Sequence, residues 1–267
     1  MKIITSPQNP LIKQTLLLQE KSRLRKESGL IVIDGWKETL LAIKNGFQIE
    51  TVFYFEQYLS ELESDELQQL TITMHTTFVS TSEEVFDKLA FRGRTSKIVS
   101  IAKHRTSTFE NITENENGLY LVLDGIEKPG NLGAILRIAD AAGVNAVFCS
   151  DVQTDIFNPN VIRSSVGCVF SQKIICAEKE QILDYFQTKK IQVFTTSLKA
   201  AKDYLDVDYT AASAFVFGTE AEGVQSFWEE NANQNILITM RGQNDSLNVS
   251  NSVAIVIFEA LRQRQTR

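Results

Sequence analysis

Three short stretches concentrate residue types that can do chemistry. The first, DGIEKPGNLG (124–133), leads into a helical stretch that carries Arg137. Its glycines and proline make a tight turn, and a helix start offers unpaired N–H groups to an anion. The pattern is neither G-x-G-x-x-G nor a Walker A ending in G-K-[ST], so it reads only as a place for an anion or nucleotide. Arg137 lies about two turns into that helix, amid Ile135, Leu136, Ile138 and Ala139. A guanidinium there either reaches the surface or pairs with an acid such as Asp140, or it is aimed at a phosphate or a reacting oxygen. The second stretch, FGTEAEG (217–223), follows an apolar run, and its flanking glycines allow close backbone approach. A carboxylate in such a bend can cap a helix starting near Val224, which accounts for Glu222 better than for Glu220. The third, RGQNDSLNVS (241–250), is crowded with Asn, Asp and Ser, whose side chains bond the backbone locally. One helix N-cap does not need so many of them.

The elements that must position these stretches alternate cleanly. In the C-terminal half, strands are expected at 119–123, 145–149, 169–175, 192–196, 214–217 and 236–240. Helices are expected at 132–142, 160–167, 179–188, 224–231 and 249–264. In the last helix Val253, Val256, Ile257, Ala260 and Leu261 share one face. Near-continuous apolar strands alternating with helices mean a parallel sheet covered on both faces, with ligands beyond the C-terminal strand ends. The N-terminal half reads as a smaller α/β domain. It has a helix around Leu11–Leu18, strands at 29–35, 51–55 and 98–102, and helices at 37–44 and 82–88 with Ser82 as N-cap. The polar segment 106–117 lacks periodicity and reads as a linker, dividing the chain into domains 1–105 and 118–267.

Composition bounds the possibilities. With 267 residues, 43% hydrophobic and 22% charged, the chain is ordinary for one or two globular domains. No apolar run reaches the ~18 residues of a membrane helix, and the first ten residues lack the apolar region of a secretory signal. Cys149, Cys168 and Cys176 have no metal spacing, and they fit small apolar residues in a reducing cytoplasm. His75 and His104 stand apart from other ligand types, so no metal is expected, and the absence of G-x-S-x-G argues against a serine hydrolase.

The net charge of −6 argues against a sticky nucleic-acid binder, but the charge is unevenly spread. Residues 1–28 hold Lys2, Lys13, Lys21, Arg23, Arg25 and Lys26 against Glu20 and Glu27. Residues 88–105 hold Lys88, Arg92, Arg94, Lys97, Lys103 and Arg105 with no acid. An acidic surface stretch, 56–66, lies between them. Each run alone fits a solvated face, and two in an acidic chain fit a phosphate-facing surface.

Together the three stretches resemble the three motifs of the SpoU (TrmH-like) family of RNA ribose 2′-O-methyltransferases, in the SPOUT class. The first motif resembles LDGIEKPGNLGAILRIADAAG (123–143), the second FGTEAEG (217–223), the third ITMRGQNDSLNVSNSVAIVIFEAL (238–261). NPNVIRSSVGCVF (158–170) is similar to the segment joining the first two, and order and spacing agree across 119–264. More weakly, ITSPQNPLIK, the basic helix after it and GLIVIDG resemble the RNA-binding domain that many members carry first.

The resemblance implies an α/β domain tied in a deep trefoil knot, S-adenosylmethionine bound in the knot, and a homodimer with the active site near the subunit interface. Gly218, Ile238 and Leu247 match positions whose backbone holds the adenosyl group, with Thr195 or Thr196 beside it. Arg137 matches the arginine placed near the target ribose and phosphate; Asn131, Glu220, Ser246 and Asn248 match further polar positions of the three motifs. Lys13, Arg23, Arg25, Lys26, Arg92, Arg94 and Lys97 are the expected RNA-gripping residues. Ribosomal RNA is favoured over transfer RNA because of the extra domain. The chain departs from the family pattern at Thr219, where many members have Asn, at Ala221, where many have Gly, and at Asn251 and Ser252. Three rivals remain at this level: a catalytically silent RNA-binding protein of the same fold, an open Rossmann-like nucleotide enzyme, and a knotted methyltransferase of base nitrogens. Intact Arg137, Asn131 and the Ser246–Asn248 run favour the ribose enzyme.

Overall fold

The structure, a computed structural model, describes residues 2–73, 75–113, 115–199, 201–219, 222–243 and 245–265. The chain forms two compact units, Met1–Arg105 with Phe157–Ser171, and Thr106–Ile156 with Gln172–Arg267.

The first unit runs β1 (Lys2–Ile4), α1 (Pro10–Glu20), α2 (Ser22–Ser28), β2 (Leu30–Asp34), α3 (Trp36–Lys44), β3 (Ile49–Tyr54), α4 (Glu61–Thr73), β4 (Thr77–Thr81), α5 (Glu83–Leu89) and β5 (Ile98–Lys103). Its sheet has the order β1-β4-β3-β5-β2, parallel through β1, β4 and β3 and antiparallel at β5. Asn9 starts α1 by accepting the Leu11 N–H at 3.0 Å, with Pro10 preset for the first turn. Gly29, at φ +66°, ends α2 in the left-handed conformation glycine allows. Ile12, Leu18, Val32, Phe53, Phe86 and Val99 meet in the core. Helix α4 is the main departure from the sequence reading, which saw only an acidic surface stretch there. Through Leu70 its polar residues surround one buried side chain, Leu67, so no apolar stripe betrays the helix.

The second unit contributes β6 (Leu119–Asp124), α6 (Pro129–Ala142) and β7 (Ala146–Ser150) before the chain passes into the first unit as α7 (Pro159–Ser164). There Phe157 and Phe170 place their rings 6.0 and 4.9 Å from Phe47. This packing corrects the expected strand 169–175. Val169 and Phe170 spend their apolar side chains in a 3-10 turn, Cys168–Phe170, and only β8 (Ile174–Cys176) is a strand. The chain continues through α8 (Lys179–Thr188), β9 (Gln192–Thr196), β10 (Lys202–Asp203), β11 (Ser213–Phe217), α9 (Ser226–Asn231), β12 (Gln234–Leu237) and α10 (Val249–Gln265).

Seven parallel strands lie in the order β10-β12-β9-β11-β6-β7-β8, as the alternating pattern requires. Strands β6, β7 and β11 are buried along their whole length, which explains their unbroken apolar runs. The segment read as a linker is anchored: the Phe109 ring lies tilted 5.8 Å from that of Phe148 and 5.3 Å from that of Tyr185, and Ile112 is buried. β12 stops at Leu237, earlier than expected, so the third motif begins in a long loop rather than in a strand.

Candidate functional site

In the second unit, the C-terminal ends of β9, β11 and β12 open on a cavity of about 470 Å³. Thr196, Gly218, Ile238, Ser246 and Leu247 line it, so residues expected from three separate stretches meet in one place. Thr195 does not join them. Successive strand residues point to opposite faces, and Thr195 is fully buried with its hydroxyl donating to the Trp228 carbonyl at 3.3 Å. Thr196, one residue on, donates to the Val216 carbonyl at 3.0 Å and faces the cavity.

The second stretch folds into a closed bend. Thr219 N–H donates to the Gly223 carbonyl at 2.9 Å, and Gly223 N–H returns to the Thr219 carbonyl at 3.1 Å. Gly223 sits at φ +73°, and a Cβ on Gly218 would collide with the Gly223 carbonyl, so the glycine positions are sterically required. The first stretch touches this bend: a Cβ on Gly125, at φ +71°, would come 3.1 Å from the Thr219 methyl. Glu220 and Ala221 lie outside the described residues. The helix after the bend starts at Ser226 rather than Val224, and no Glu222 cap forms there. The carboxylate at that helix start is Asp124, which accepts the Gln225 N–H at 3.0 Å.

The third stretch serves both roles open to it. Asn248 caps α10 by accepting the Ser250 N–H at 3.0 Å, and its Nδ2 donates to Asn131 Oδ1 at 3.2 Å. The first and third motifs are thereby joined through the two asparagines. Asn131 lies in the first turn of α6, and Arg137 on the same helix is exposed, without a side-chain partner among the described residues. Pairing with Asp140 does not occur, so the guanidinium remains available to a ligand.

Sequence reasoning missed a polar group on the cavity wall. Ser197 Oγ and Lys199 Nζ reach the Glu229 carboxylate at 2.5 and 2.9 Å. The Ser197 hydrogen bond first, then Lys199, holds that carboxyl below its ordinary value. Nothing in the sequence links these residues except that Ser197 and Lys199 follow a strand end.

The basic residues of the first unit divide in two. Lys13, Lys26 and Arg94 are exposed, with no side-chain partner among the described residues. Arg23 is exposed and pairs with Glu27 at 2.6 Å. Three others have partners within the fold, although only Arg25 is buried, Lys97 being half-buried and Arg92 exposed. Arg25 is buried and donates to the Leu18 and Gln19 carbonyls at 2.6 and 3.1 Å. Arg92 binds Glu38 at 3.0 Å and the Asp34 carbonyl at 3.1 Å. Lys97 binds Glu63 at 3.2 Å and the Tyr58 carbonyl at 2.6 Å. The charge count could not reveal this, because it does not say which cations the fold itself needs. Among the described residues, no cluster of three or more His, Cys, Asp or Glu is placed to hold a metal, and no helix is long and apolar enough to cross a membrane.

Residues 118–258 match the SpoU rRNA Methylase family, and residues 9–100 match the MRM3-like substrate binding domain. The chain is 25% identical to the 23S rRNA (uridine(2479)-2′-O)-methyltransferase of Streptomyces viridochromogenes, over 98% of this chain and 92% of that protein. Among solved structures, an RNA 2′-O ribose methyltransferase superposes with a TM-score of 0.84 at 35% identity, covering 98% of this chain and 99% of the other. The AdoMet-bound rRNA methyltransferase from Sinorhizobium meliloti superposes with a TM-score of 0.89 at 28% identity, covering 98% and 97%.

Proposed function

The chain belongs to the SpoU rRNA methylase family, and we propose that it is an S-adenosylmethionine-dependent methyltransferase that modifies ribose 2′-hydroxyls of ribosomal RNA. One observation carries this reading: the second and third motifs line one cavity, and the third is hydrogen-bonded to the first through Asn248 and Asn131. The cavity suits the cofactor. Its volume of about 470 Å³ falls within the usual range of about 300–1,000 Å³ for small-ligand sites. Gly218, packed against Gly223, brings backbone and no side chain to its part of the wall. Gly218, Thr196, Ile238 and Leu247 are the residues that would hold the adenosyl part.

When bound, S-adenosylmethionine supplies an electrophilic methyl on a sulfonium. The chain's own residues have three tasks. Arg137 holds the RNA phosphate and ribose; a guanidinium keeps its proton and is a poor base, so it orients and polarises the hydroxyl rather than abstracting its proton. Asn131 and Asn248, fixed to each other, set the position of the sugar, and Ser246 lines the cavity. Alignment of this kind supplies several kcal/mol of barrier lowering. Glu220 belongs to the same proposal by its place in the second motif.

Lys13, Lys26 and Arg94 are the residues of the first unit we assign to the RNA backbone, supported by their exposure and by their having no side-chain partner among the described residues. Such contacts make affinity salt-dependent. A homodimer is part of the reading. It is supported by Phe258, 48% exposed on α10, beside half-buried Ile255 and Leu261 on the same helix face. The trefoil knot is part of it too, supported by a strand order in which β9 lies between β11 and β12 although it precedes both. A cytoplasmic location is part of the reading, supported by the ribosomal RNA substrate named for the Streptomyces viridochromogenes relative.

The test is transfer of labelled methyl from S-adenosylmethionine to unmodified ribosomal RNA, with unmodified transfer RNA as the second arm. Alkali-resistant label in ribosomal RNA, lost in Arg137→Ala, is expected, because a 2′-O-methyl group blocks alkaline cleavage at its own linkage. Label confined to transfer RNA overturns the substrate assignment. Cofactor binding without label in any RNA favours a catalytically silent binder.

A further inference from the structure

Asp124 ends β6 inside the first motif, and the methyl-transfer reading leaves it without a role. It is 2% exposed. A carboxylate so enclosed is costly unless hydrogen-bonded, and its donors are specific. Ser150 Oγ reaches Oδ1 at 2.9 Å; the Gln225 backbone N–H reaches Oδ2 at 3.0 Å; Gln225 Nε2 approaches Oδ1 at 3.4 Å. The Gln225 side chain is itself fixed, donating to Asp151 and accepting from Lys179.

These bonds lie at a structurally decisive point. The bend 218–223 leaves β11 at Phe217, whose neighbour on β6 is Leu123. The chain comes back at Gln225, held by the next β6 residue, Asp124. Both ends of the bend are therefore fastened to consecutive residues of one buried strand, and the Thr219–Gly223 bonds close it between them. Gly218, Thr219, Gly223 and Val224 on this segment line the cavity.

We propose that Asp124 is a positioning residue that clamps the returning chain at Gly223–Gln225 and so preorganises the cofactor wall; in its binding consequence the proposal rests on the S-adenosylmethionine reading above. Asp124 does not act on the methyl group or the ribose. It removes the freedom the segment would otherwise lose on binding, which raises affinity without a new contact. The sequence marks the residue only as the polar end of an apolar strand. Its partner lies 101 positions away.

The experiment uses the full chain and two readouts: amide hydrogen exchange at Thr219 and Gly223 without cofactor, and S-adenosylmethionine affinity by calorimetry. Asp124→Ala is expected to speed exchange at Gly223 by about tenfold or more, with β6 and β7 amides still protected. It is expected to weaken cofactor binding by about tenfold. Asp124→Asn keeps an acceptor for the Gln225 N–H and is expected to restore both readouts to within about threefold of the wild type. Ser150→Ala, which removes a bond to Asp124 without touching the segment, is expected to leave both unchanged.

A second pair decides the matter if Asp124→Ala fails to fold. Gln225 has φ −66°, which proline adopts. Gln225→Pro deletes the N–H that Asp124 accepts, whereas Gln225→Ala keeps it; only the proline variant should loosen the segment. Equal exchange in these two variants, or an effect of Ser150→Ala as large as that of Asp124→Ala, overturns the clamp. A wild type that binds no S-adenosylmethionine overturns the reading of the cavity, while the exchange readout still judges the clamp by itself.

Discussion

In the first unit Arg25 gives its guanidinium to the Leu18 and Gln19 carbonyls, and Arg92 gives its own to Glu38 and the Asp34 carbonyl. In the second unit Arg137 stands exposed with no side-chain partner among the described residues. All three look alike as sequence. The first two are consumed in folding, because buried carbonyls and a buried carboxylate need donors. The third is left over, and a cation the fold does not need is one a ligand can use. The division follows position rather than unit. Arg264, at the other end of the second sheet, is spent on the Tyr209, Asn117 and Ala211 carbonyls near the strand starts, and burial lowers its pKa.

This contrast can be tested at each residue. Arg137→Ala should lower the methyl-transfer rate by about 10³-fold, while the thermal midpoint moves by less than about 2 °C, as for an exposed side chain. A rate near wild type would place Arg137 with the structural cations. Gly218→Ala should weaken S-adenosylmethionine binding by about a hundredfold in calorimetry, because the new Cβ has nowhere to go but into the Gly223 carbonyl.

Arg25→Ala should cost about 2–3 kcal/mol in urea unfolding, the penalty for stranding buried acceptors. Lys26→Ala, one residue on, should change stability by less than about 0.5 kcal/mol. It should instead reduce the salt slope of RNA binding by about 0.7–0.9. If both variants behaved alike, burial would be no guide to which cations meet RNA.

The smallest expected effect is in pH, and its sign differs between the units. Burial raises the Asp34 carboxyl above its ordinary 3.8, so the folded form holds its proton longer than the unfolded chain. Its contribution to stability is complete below that value and is lost as pH rises through the folded pKa. Glu229 is held below its ordinary 4.5 by Ser197 and then Lys199, so its contribution is present above that value and is lost as pH falls through the folded pKa. Urea unfolding between about pH 3 and pH 6 should show Asp34→Asn gaining on the wild type as pH rises and Glu229→Gln falling behind it.

Much of this was legible in the residues. The alternation of apolar strands and helices gave the parallel sheet, and α8 falls on 179–188, the range its pattern predicts. The motif loops pointed to Gly218, Ile238, Ser246 and Leu247, and the structure gathers these four around one cavity. What escaped was whatever depends on partners distant in the chain. Helix α4 has no apolar stripe, and Phe170 was read as strand because its apolar character does not say that it packs against Phe47. Thr195 and Thr196 could not be separated until the strand's facing was known.

The sequence by itself determined the local matters: the period of the strands and helices, the glycines a tight bend requires, the N-cap at Ser82, and the polar residue types of the three loops. Periodicity and backbone sterics act over a few residues, so a few residues specify them. Only the tertiary structure decided which cations remain free, which threonine faces the cavity, and that Asp124 rather than Glu222 holds the start of α9. Burial and hydrogen-bond satisfaction are settled among residues about a hundred positions apart, once packing has brought them together.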